Sequence, residues 1–342
     1  ANKNAICKIN KKNNEVKIIS HYPNTEMYKN NLSASMQIIG NYIVFTPFSA
    51  DYIAVYNINN DIVEYVEIDE PSENSGVKYS PNEKFYTSYK YGRCVYFFGW
   101  KYPGIIEFNV DTFEAKYICE WVELVREAKG FNSNNSFFNE GVVFFDESLY
   151  LPIGCLNGLY VFDLRKKNWE VIVLNGCDQG FWGMARYNEN LYLTGINEGL
   201  FRFDLVDRSI THVKTPNGMS YRAPICCGDR VLFYRDNMKA YFFHPETEQW
   251  EHASIVNKAI HNGDSIANGK YKDGILTIST KKEMTWFKIE CKTNHIENAV
   301  YVIADKIFLD QCWKVKCKIF DQTRIFNEGD IYLEEFLSYV GS

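Results

Sequence analysis

The fold is decided by one stretch of sequence, Gly158-Leu-Tyr-Val-Phe-Asp-Leu-Arg-Lys-Lys-Asn-Trp-Glu-Val-Ile-Val173. Its first six residues alternate as in a strand, residues 164–168 turn the chain, and residues 169–173 return as a second strand. Asp163 suits the start of the turn because its carboxylate can accept bonds from the backbone N–H groups that follow. Trp169, six residues later, can pack across the pair. The stretch predicts a β-hairpin.

The same pattern of an aromatic or apolar residue followed by a polar residue recurs along the chain. The copies end at Asn10, Asn57, Asn109, Asp163, Asp204, His244 and Lys288. Successive copies lie 40 to 54 residues apart. A repeat of this length is typical of solenoids and propellers.

A second hairpin with a tight polar turn precedes most copies. These hairpins cover residues 36–45, 89–98, 142–151, 185–193, 224–233 and 270–278. Their turns are built from glycine, asparagine and aspartate, which favour two-residue hairpin loops. Two hairpins in each repeat make a four-stranded antiparallel sheet, which is the blade of a β-propeller.

The repeat resembles the kelch type of β-propeller over nearly the whole chain. The resemblance depends on the segments Phe162-Asp163…Trp169 and Phe243-His244…Trp250, although the paired glycines usual at the end of the second kelch strand are missing. It implies blades stacked in a ring, with ligands bound on the face that carries the longer loops.

The predicted fold class is all-β, a single propeller domain over residues 1–342. We expect seven blades: six complete blades in residues 33–299, and a closing blade shared by strands from residues 1–20 and 300–342. Six blades is the alternative, if the C-terminal tail wraps outside the ring. Helical spacing predicts one helix at Trp121–Ala128 and another at Tyr332–Val340.

Composition and charge exclude several classes of protein. Hydrophobic residues make up 46% of the chain and the net charge is −6, as in an ordinary folded protein without a basic field to attract nucleic acid. No segment has the roughly 20 apolar residues of a membrane span. We therefore expect no nucleic-acid partner and no membrane partner.

The cysteines favour a cytoplasmic location. There are ten, with no Cys-x-x-Cys pair and no zinc-ligand spacing, so we expect no metal site and no cofactor. No export signal is visible at Ala1-Asn2-Lys3-Asn4, although a signal peptide that has been removed stays an alternative.

Aromatic and polar residues in the longer loops predict a ligand-binding face. The candidate ligand-binding residues are Trp100, Tyr102, Asn135, Trp182, Tyr221, Arg222, His261 and Asp264. Aromatic faces beside amide, guanidinium and carboxylate groups suit a sugar or a peptide. The alternative is that the aromatic residues pack between blades and the polar residues only end strands.

The predicted function is a non-catalytic binding propeller that recognises a protein, peptide or glycan. The alternative is an enzyme, of lyase or glycosidase type, at the mouth of the central pore. Glu198 with Asp264, or His261 with Asp264, could supply acid and base, but no catalytic residue is assigned. A structural or assembly protein is a third alternative, and it would need a large exposed apolar patch.

Overall fold

The structure is a computed structural model, and it describes residues 4–10, 15–26, 29, 31–71, 79–175, 180–197, 199–216, 221–222, 224–235, 239–260, 266–280, 286–293 and 295–299. The described strands belong to two compact units. The first contains the antiparallel pair β1 (Ile6–Asn10) and β2 (Glu15–Ser20). Within it, the Asn4 amide donates to the Tyr22 carbonyl over 3.0 Å and accepts from the Tyr22 N–H over 2.7 Å.

The second unit, residues 31–302, is built from six four-stranded antiparallel blades. Blade one is β3 (Ser33–Ile39), β4 (Tyr42–Pro47), β5 (Tyr52–Asn57) and β6 (Ile62–Glu67). Blade two is β7 (Phe85–Tyr91), β8 (Cys94–Gly99), β9 (Ile105–Asn109) and β10 (Ala115–Ile118). Blade three is β11 (Val143–Phe145), β12 (Ser148–Pro152), β13 (Gly158–Asp163) and β14 (Asn168–Val173).

The remaining three blades follow the same plan. Blade four is β15 (Phe181–Tyr187), β16 (Asn190–Gly195), β17 (Leu200–Asp204) and β18 (Ile210–Val213). Blade five is β19 (Ile225–Cys226), β20 (Val231–Phe233), β21 (Tyr241–His244) and β22 (Gln249–His252). Blade six is β23 (Ile266–Lys272), β24 (Ile275–Thr280), β25 (Trp286–Glu290) and β26 (His295–Ala299).

The prediction of an all-β propeller is confirmed. In every blade each strand pairs with the next one in the chain, and the blades form a propeller ring. Residues 300–342 lie outside the described residues. They include the predicted C-terminal strands of a seventh blade and the second predicted helix.

The hairpin that decided the fold has the predicted geometry. Phe162 stands opposite Trp169 in the register of blade three. The Asp163 carboxylate accepts bonds from the N–H groups of Arg165 and Lys166 over 3.0 and 2.8 Å, which fixes the turn. In blade five the rings of Phe243 and Trp250 lie 4.8 Å apart in the same arrangement.

The core lies between the blades. Each of the five pairs of consecutive blades, from blades one and two to blades five and six, shares one apolar cluster of buried side chains. Burial of each large side chain stabilises the fold by roughly 2 kcal/mol, so stacking is the main force that holds the ring together.

In the described part of the chain, two short helices lie between consecutive blades. The predicted helix is confirmed as α1 (Trp121–Glu127), which buries Trp121, Val122 and Val125 against blades two and three. The second helix, α2 (Ser254–Ala259), precedes the inner strand of blade six and was not predicted. Within the described ranges no helix combines the length and the apolar character that a membrane span requires.

Ion pairs join neighbouring blades on the side where the hairpin turns lie, which we call the turn face. Lys167 of blade three donates to Glu107 of blade two over 2.8 Å. Arg208 of blade four donates to Glu170 of blade three over 2.7 Å. In the next pair the charges are reversed, because Arg202 of blade four donates to Glu248 of blade five over 3.0 Å.

The buried hydroxyl of Tyr160 predicts a stabilising substitution. The side chain is fully buried among Trp121, Phe138 and Phe162, and its hydroxyl has no hydrogen-bond partner among the described residues. Because an unsatisfied buried hydroxyl costs free energy, we expect Tyr160→Phe to raise the free energy of unfolding by about 1 kcal/mol. Urea unfolding measures the change.

Tyr102→Phe is the matched control for Tyr160→Phe. The Tyr102 side chain is equally buried, but its hydroxyl donates to the Asp69 carbonyl over 3.1 Å. We expect this control to lose about 1 kcal/mol. A loss of stability in Tyr160→Phe as well would contradict the assignment of an unsatisfied hydroxyl.

Candidate functional site

The face opposite the turn face, which we call the loop face, is held together by bonds between neighbouring blades. In each case a carbonyl at the end of the second strand of one blade, or in the loop that follows it, accepts a bond from the backbone at or before the start of the inner strand of the next blade. The bonds are Lys84 N–H to Phe48 O (2.8 Å), Phe138 N–H to Gly99 O (3.1 Å) and Phe181 N–H to Ile153 O (2.9 Å). These bonds fix where each inner strand begins.

A β-bulge follows at the start of the inner strand in four blades. The register there skips one residue, which stands opposite no partner: Ala34, Tyr86, Trp182 and Ala267. A bulge turns a side chain away from its regular position in the sheet, and such bulges are frequent beside functional sites. We call this residue the bulge position of its blade.

Arg222 occupies the equivalent position in blade five. Blades four and five are related by a shift of forty residues, which takes Phe203 to Phe243 and Trp182 to Arg222. The Arg222 N–H donates to the Tyr234 carbonyl over 2.8 Å, which anchors the backbone there.

Blade three carries a wider interruption at this point. Phe138 pairs with Ile153, and regular pairing resumes only at Val143 opposite Tyr150. The segment between them approaches blade four, where the Glu140 N–H donates to the Trp182 carbonyl over 3.0 Å. Glu140 is thereby placed beside Trp182.

Gly141 is required for this approach. Its φ is +93°, and an added Cβ would lie 2.5 Å from the Met184 carbonyl oxygen. A side chain would therefore push blade three away from blade four.

Three side chains from successive blades meet as a result, and we call them the inner-strand cluster: Glu140, Trp182 and Arg222. The guanidinium carbon of Arg222 lies 5.6 Å from the centre of the Trp182 ring, in cation–π range. An Arg222 nitrogen lies 3.9 Å from the Glu140 carboxylate. The Trp182 indole is fixed because its N–H donates to the Ile196 carbonyl over 2.9 Å.

The cluster is partly accessible. The side chain of Arg222 is 32% exposed and that of Glu140 is 16% exposed, so the arginine lies nearer to solvent than the carboxylate. A guanidinium held against an aromatic ring and beside a carboxylate can bind and orient a polar ligand.

A second group on the loop face is an aromatic trio between blades one and two: Phe48, Tyr86 and Trp100. The rings of Tyr86 and Trp100 lie 4.5 Å apart, and Phe48 lies within 6 Å of both. All three side chains are partly buried. The Thr87 hydroxyl beside this trio donates to the Asn139 carbonyl over 3.2 Å, which connects it to the segment that carries Glu140.

The structure brings Trp182 and Arg222 together, two of the residues predicted from the sequence. Trp100 lies in the aromatic trio, and the Asn135 amide donates to the Gly154 carbonyl over 3.3 Å in the loop before blade three. Tyr102 and Tyr221 are only 2% and 4% exposed.

These two tyrosines pack inside the molecule. Tyr102 lies 4.8 Å from the Phe85 ring, and Tyr221 stacks on Trp250 at 5.8 Å. Burial raises the pKa of Tyr221 to about 12, so its phenol stays protonated at neutral pH. His261, Asp264 and Glu198 lie outside the described residues.

The sequence analysis missed Glu140, Tyr86 and Phe48. The sequence did contain a signal for Glu140. In blades three and four alike, the residues at the interruption of the inner strand lie between a phenylalanine and a glycine. The segments are Phe138-Asn-Glu-Gly141 and Phe181-Trp-Gly183. An alignment of the two segments on their phenylalanine and glycine would have placed Asn139 and Glu140 at the position of Trp182.

No protein-family model matches this chain, and no curated protein matches it either. Solved structures with the same fold are nonetheless found. The chain is similar to a catalytically inactive histidine-to-alanine variant of virginiamycin B lyase from Staphylococcus aureus, solved with quinupristin. The TM-score is 0.56 and the identity 16%, over 86% of this chain and 87% of that one.

Two further neighbours belong to other kinds of propeller. The WD40 repeats of RRP9 match with a TM-score of 0.57 and 8% identity, over 80% of this chain and 82% of that one. BamB from Moraxella catarrhalis matches with a TM-score of 0.54 and 9% identity, over 84% and 81%. At these identities the likeness shows the fold, and the chain is a β-propeller.

Proposed function

We propose that the protein is a non-catalytic binding propeller that recognises a protein or peptide through its loop face, with a glycan as the alternative ligand. The observation that carries this function is the meeting of Glu140, Trp182 and Arg222 at the inner strands of three successive blades. The ring of blades fixes the cluster in place, so little ordering is needed when a ligand binds.

The aromatic trio adds a second contact surface on the same face. Aromatic and arginine side chains contribute most of the binding energy in many protein interfaces. Peptides that reach from Trp182 towards Trp100 would use both groups.

A binding screen tests this function. A display library of random twelve-residue peptides is selected on the immobilised protein, and the affinity of the enriched peptides is measured by interferometry. We expect Trp182→Ala to weaken their binding at least tenfold, because the ring is a partly exposed anchor for ligand contacts.

Trp169→Ala is the matched control. This tryptophan is also partly buried but lies in the outer strand of blade three, so its replacement should leave peptide affinity unchanged. Circular dichroism confirms that both variants fold. Peptides that bind Trp182→Ala as well as the original protein would overturn the assignment to the loop face. Enrichment on a glycan array alone would favour the glycan.

An enzyme of lyase type is the second candidate, and the similarity of fold to virginiamycin B lyase is what favours it. The two ionisable pairs predicted from the sequence, Glu198 with Asp264 and His261 with Asp264, consist of residues outside the described part of the chain. Glu140 is the carboxylate that a catalytic site in the cluster would use as a base. Incubation with quinupristin followed by liquid chromatography separates the candidates, since a binding propeller yields no new compound, whereas a lyase yields a product with its own retention time.

We also propose a kelch-type repeat and a cytoplasmic location. Phe243 packing against Trp250 at 4.8 Å supports the kelch resemblance, while the missing paired glycines count against it. For the location, the support comes from six described cysteines that are free thiols: Cys94, Cys119, Cys155, Cys226, Cys227 and Cys291. The expected absence of nucleic-acid and membrane partners stays a prediction.

A further inference from the structure

We propose that the turn face carries a second binding site, for a neutral saccharide, in the crevice between blades three and four. This site is separate from the inner-strand cluster and goes beyond the proposed function. The crevice has a volume of about 690 Å³, within the range of small-molecule sites. Every residue that lines it belongs to the described part of the chain.

Blade two shows how the same place is filled one blade earlier. The hydroxyl of Tyr96, in the second strand, has a polar partner from the chain itself, because Lys167 reaches over from blade three and donates to it. Lys167 also donates over 2.8 Å to Glu107, which stands directly opposite Tyr96 in the register. A phenol, a carboxylate and an ammonium group therefore meet between blades two and three.

Blade three lacks the carboxylate at the corresponding position. Tyr150 is the counterpart of Tyr96, and the residue directly opposite it is Val161 rather than a glutamate. The cation that reaches over from blade four, Arg208, pairs instead with Glu170 of the outer strand, over 2.7 and 3.1 Å. The guanidinium is therefore engaged away from the tyrosine, and the space beside Val161 is left open as part of the crevice.

The Tyr150 hydroxyl is left without a partner as a result. The side chain is only 6% exposed and lines the crevice, and its hydroxyl makes no hydrogen bond to any described residue. Unlike the hydroxyl of Tyr160, it is not sealed from solvent. Burial raises the pKa of Tyr150, so the phenol stays protonated at neutral pH and can donate a hydrogen bond to a ligand.

Trp169 supplies a second open donor. It lines the same crevice, and its indole N–H has no hydrogen-bond partner in the described part of the chain. In its counterpart in blade five, Trp250, the indole N–H donates to the Lys214 carbonyl over 2.9 Å. The crevice therefore presents two donors that the other blades satisfy internally.

The charges of the crevice favour a neutral ligand. Four acidic and three basic side chains line it, so its net charge is close to zero. Glu170 with Arg208 and Asp163 with Lys166 are already ion pairs, at 2.7 and 3.3 Å. A strongly charged ligand would have to compete with these pairs, whereas a neutral ligand leaves them intact.

The remaining groups favour a saccharide among neutral ligands. Ser148 and Asn168 add a hydroxyl and an amide to the phenol of Tyr150, and these groups can donate to and accept from the hydroxyls of a sugar. The Trp169 ring is partly exposed, so it can pack against the C–H face of a sugar ring. Hydroxyl-binding groups beside an aromatic surface match the two kinds of surface on a saccharide.

An array of neutral oligosaccharides tests this inference. The labelled full chain is applied to the array, and the affinity for each saccharide that binds is measured by isothermal titration calorimetry. We expect Tyr150→Phe to weaken binding about fivefold, the effect of losing one hydrogen bond. Trp169→Ala should weaken it at least tenfold. Failure of every neutral saccharide on the array to bind would overturn the proposal.

Val161→Glu tests the reason why the crevice is open. It places a carboxylate where blade two has Glu107, so the new side chain should bond to the Tyr150 hydroxyl, draw Arg208 inward and abolish saccharide binding. Circular dichroism confirms that each variant folds. If Val161→Glu does not fold, Tyr150→Phe still decides, because removal of an unpartnered hydroxyl should not lower stability.

Tyr192→Phe is the matched control. Tyr192 is the counterpart of Tyr150 in blade four, but it stands opposite Arg202, and its replacement should leave saccharide affinity unchanged. Equal weakening by Tyr150→Phe and Tyr192→Phe would overturn the site. Preferred binding of acidic saccharides would overturn the neutral ligand. Binding that is lost in Trp182→Ala and kept in Tyr150→Phe would assign the saccharide to the loop face, so that this inference fails and the binding propeller stands.

Discussion

Replacing Trp121 with alanine is expected to lower the free energy of unfolding by about 3–5 kcal/mol, the range for removal of a large aromatic side chain from a core. The side chain is fully buried, and its ring lies 5.3 Å from Phe137, 4.8 Å from Phe138 and 5.3 Å from Tyr160. Its loss would leave a cavity where α1 packs on blades two and three. Urea unfolding followed by circular dichroism measures the change.

The same substitution should weaken peptide binding, because Trp121 supports the segment that leads to Glu140. Phe137 and Phe138 contact its ring, and their N–H groups donate to the carbonyls of Trp100 and Gly99 over 2.8 and 3.1 Å. Leu124→Ala is the control, since Leu124 is 51% exposed on the same helix and should cost less than about 0.5 kcal/mol. Equal losses in the two variants would contradict the packing described for α1.

Asp51→Ala is expected to destabilise the protein by about 2–3 kcal/mol, because it leaves a buried ammonium group without its carboxylate. The Lys84 side chain is 4% exposed, and its nitrogen donates to Asp51 over 2.8 Å and to the Pro81 carbonyl over 2.6 Å. The Asp51 side chain is 51% exposed, so the loss should be smaller than for a fully buried pair.

Lys84→Met is the informative comparison. It removes the buried charge and keeps most of the stem, while the Asp51 side chain is already half exposed, so we expect a loss of only about 1 kcal/mol. The double variant should resemble Lys84→Met alone, and the two single losses should not add. Additive losses, or a larger loss in Lys84→Met than in Asp51→Ala, would show that the pair is not a buried charge with an exposed partner.

The repeat made the fold predictable from the sequence. Each copy carries its own turn chemistry, as Asp163 shows by fixing the hairpin that ends at Trp169. Turn hydrogen bonds and strand alternation depend on residues that are close in the sequence. Each of the six blades could therefore be predicted from its own segment of the chain. The helix at Trp121 was predictable for the same reason.

The site was predictable only in part, because it depends on register between blades. Trp182 and Arg222 stood out as an aromatic and a charged residue beside inner strands. Glu140 reaches them only because blade three inserts extra residues before Val143, and Gly141 permits the approach to Met184. The sequence alone does not distinguish Tyr102 and Tyr221 from exposed tyrosines that bind ligands. Both are buried by packing against side chains that are distant in the sequence.

The central claim is that ligands bind the loop face over blades three to five. Hydrogen–deuterium exchange with a bound peptide tests this claim most directly. The tightest peptide from the display library is added at saturating concentration, and the exchange of the free and bound protein is compared. We predict protection in the proteolytic fragments that contain Glu140, Trp182 and Arg222. Protection confined to the turn-face fragments that contain Glu147, Lys166 and Asp207 would contradict the account.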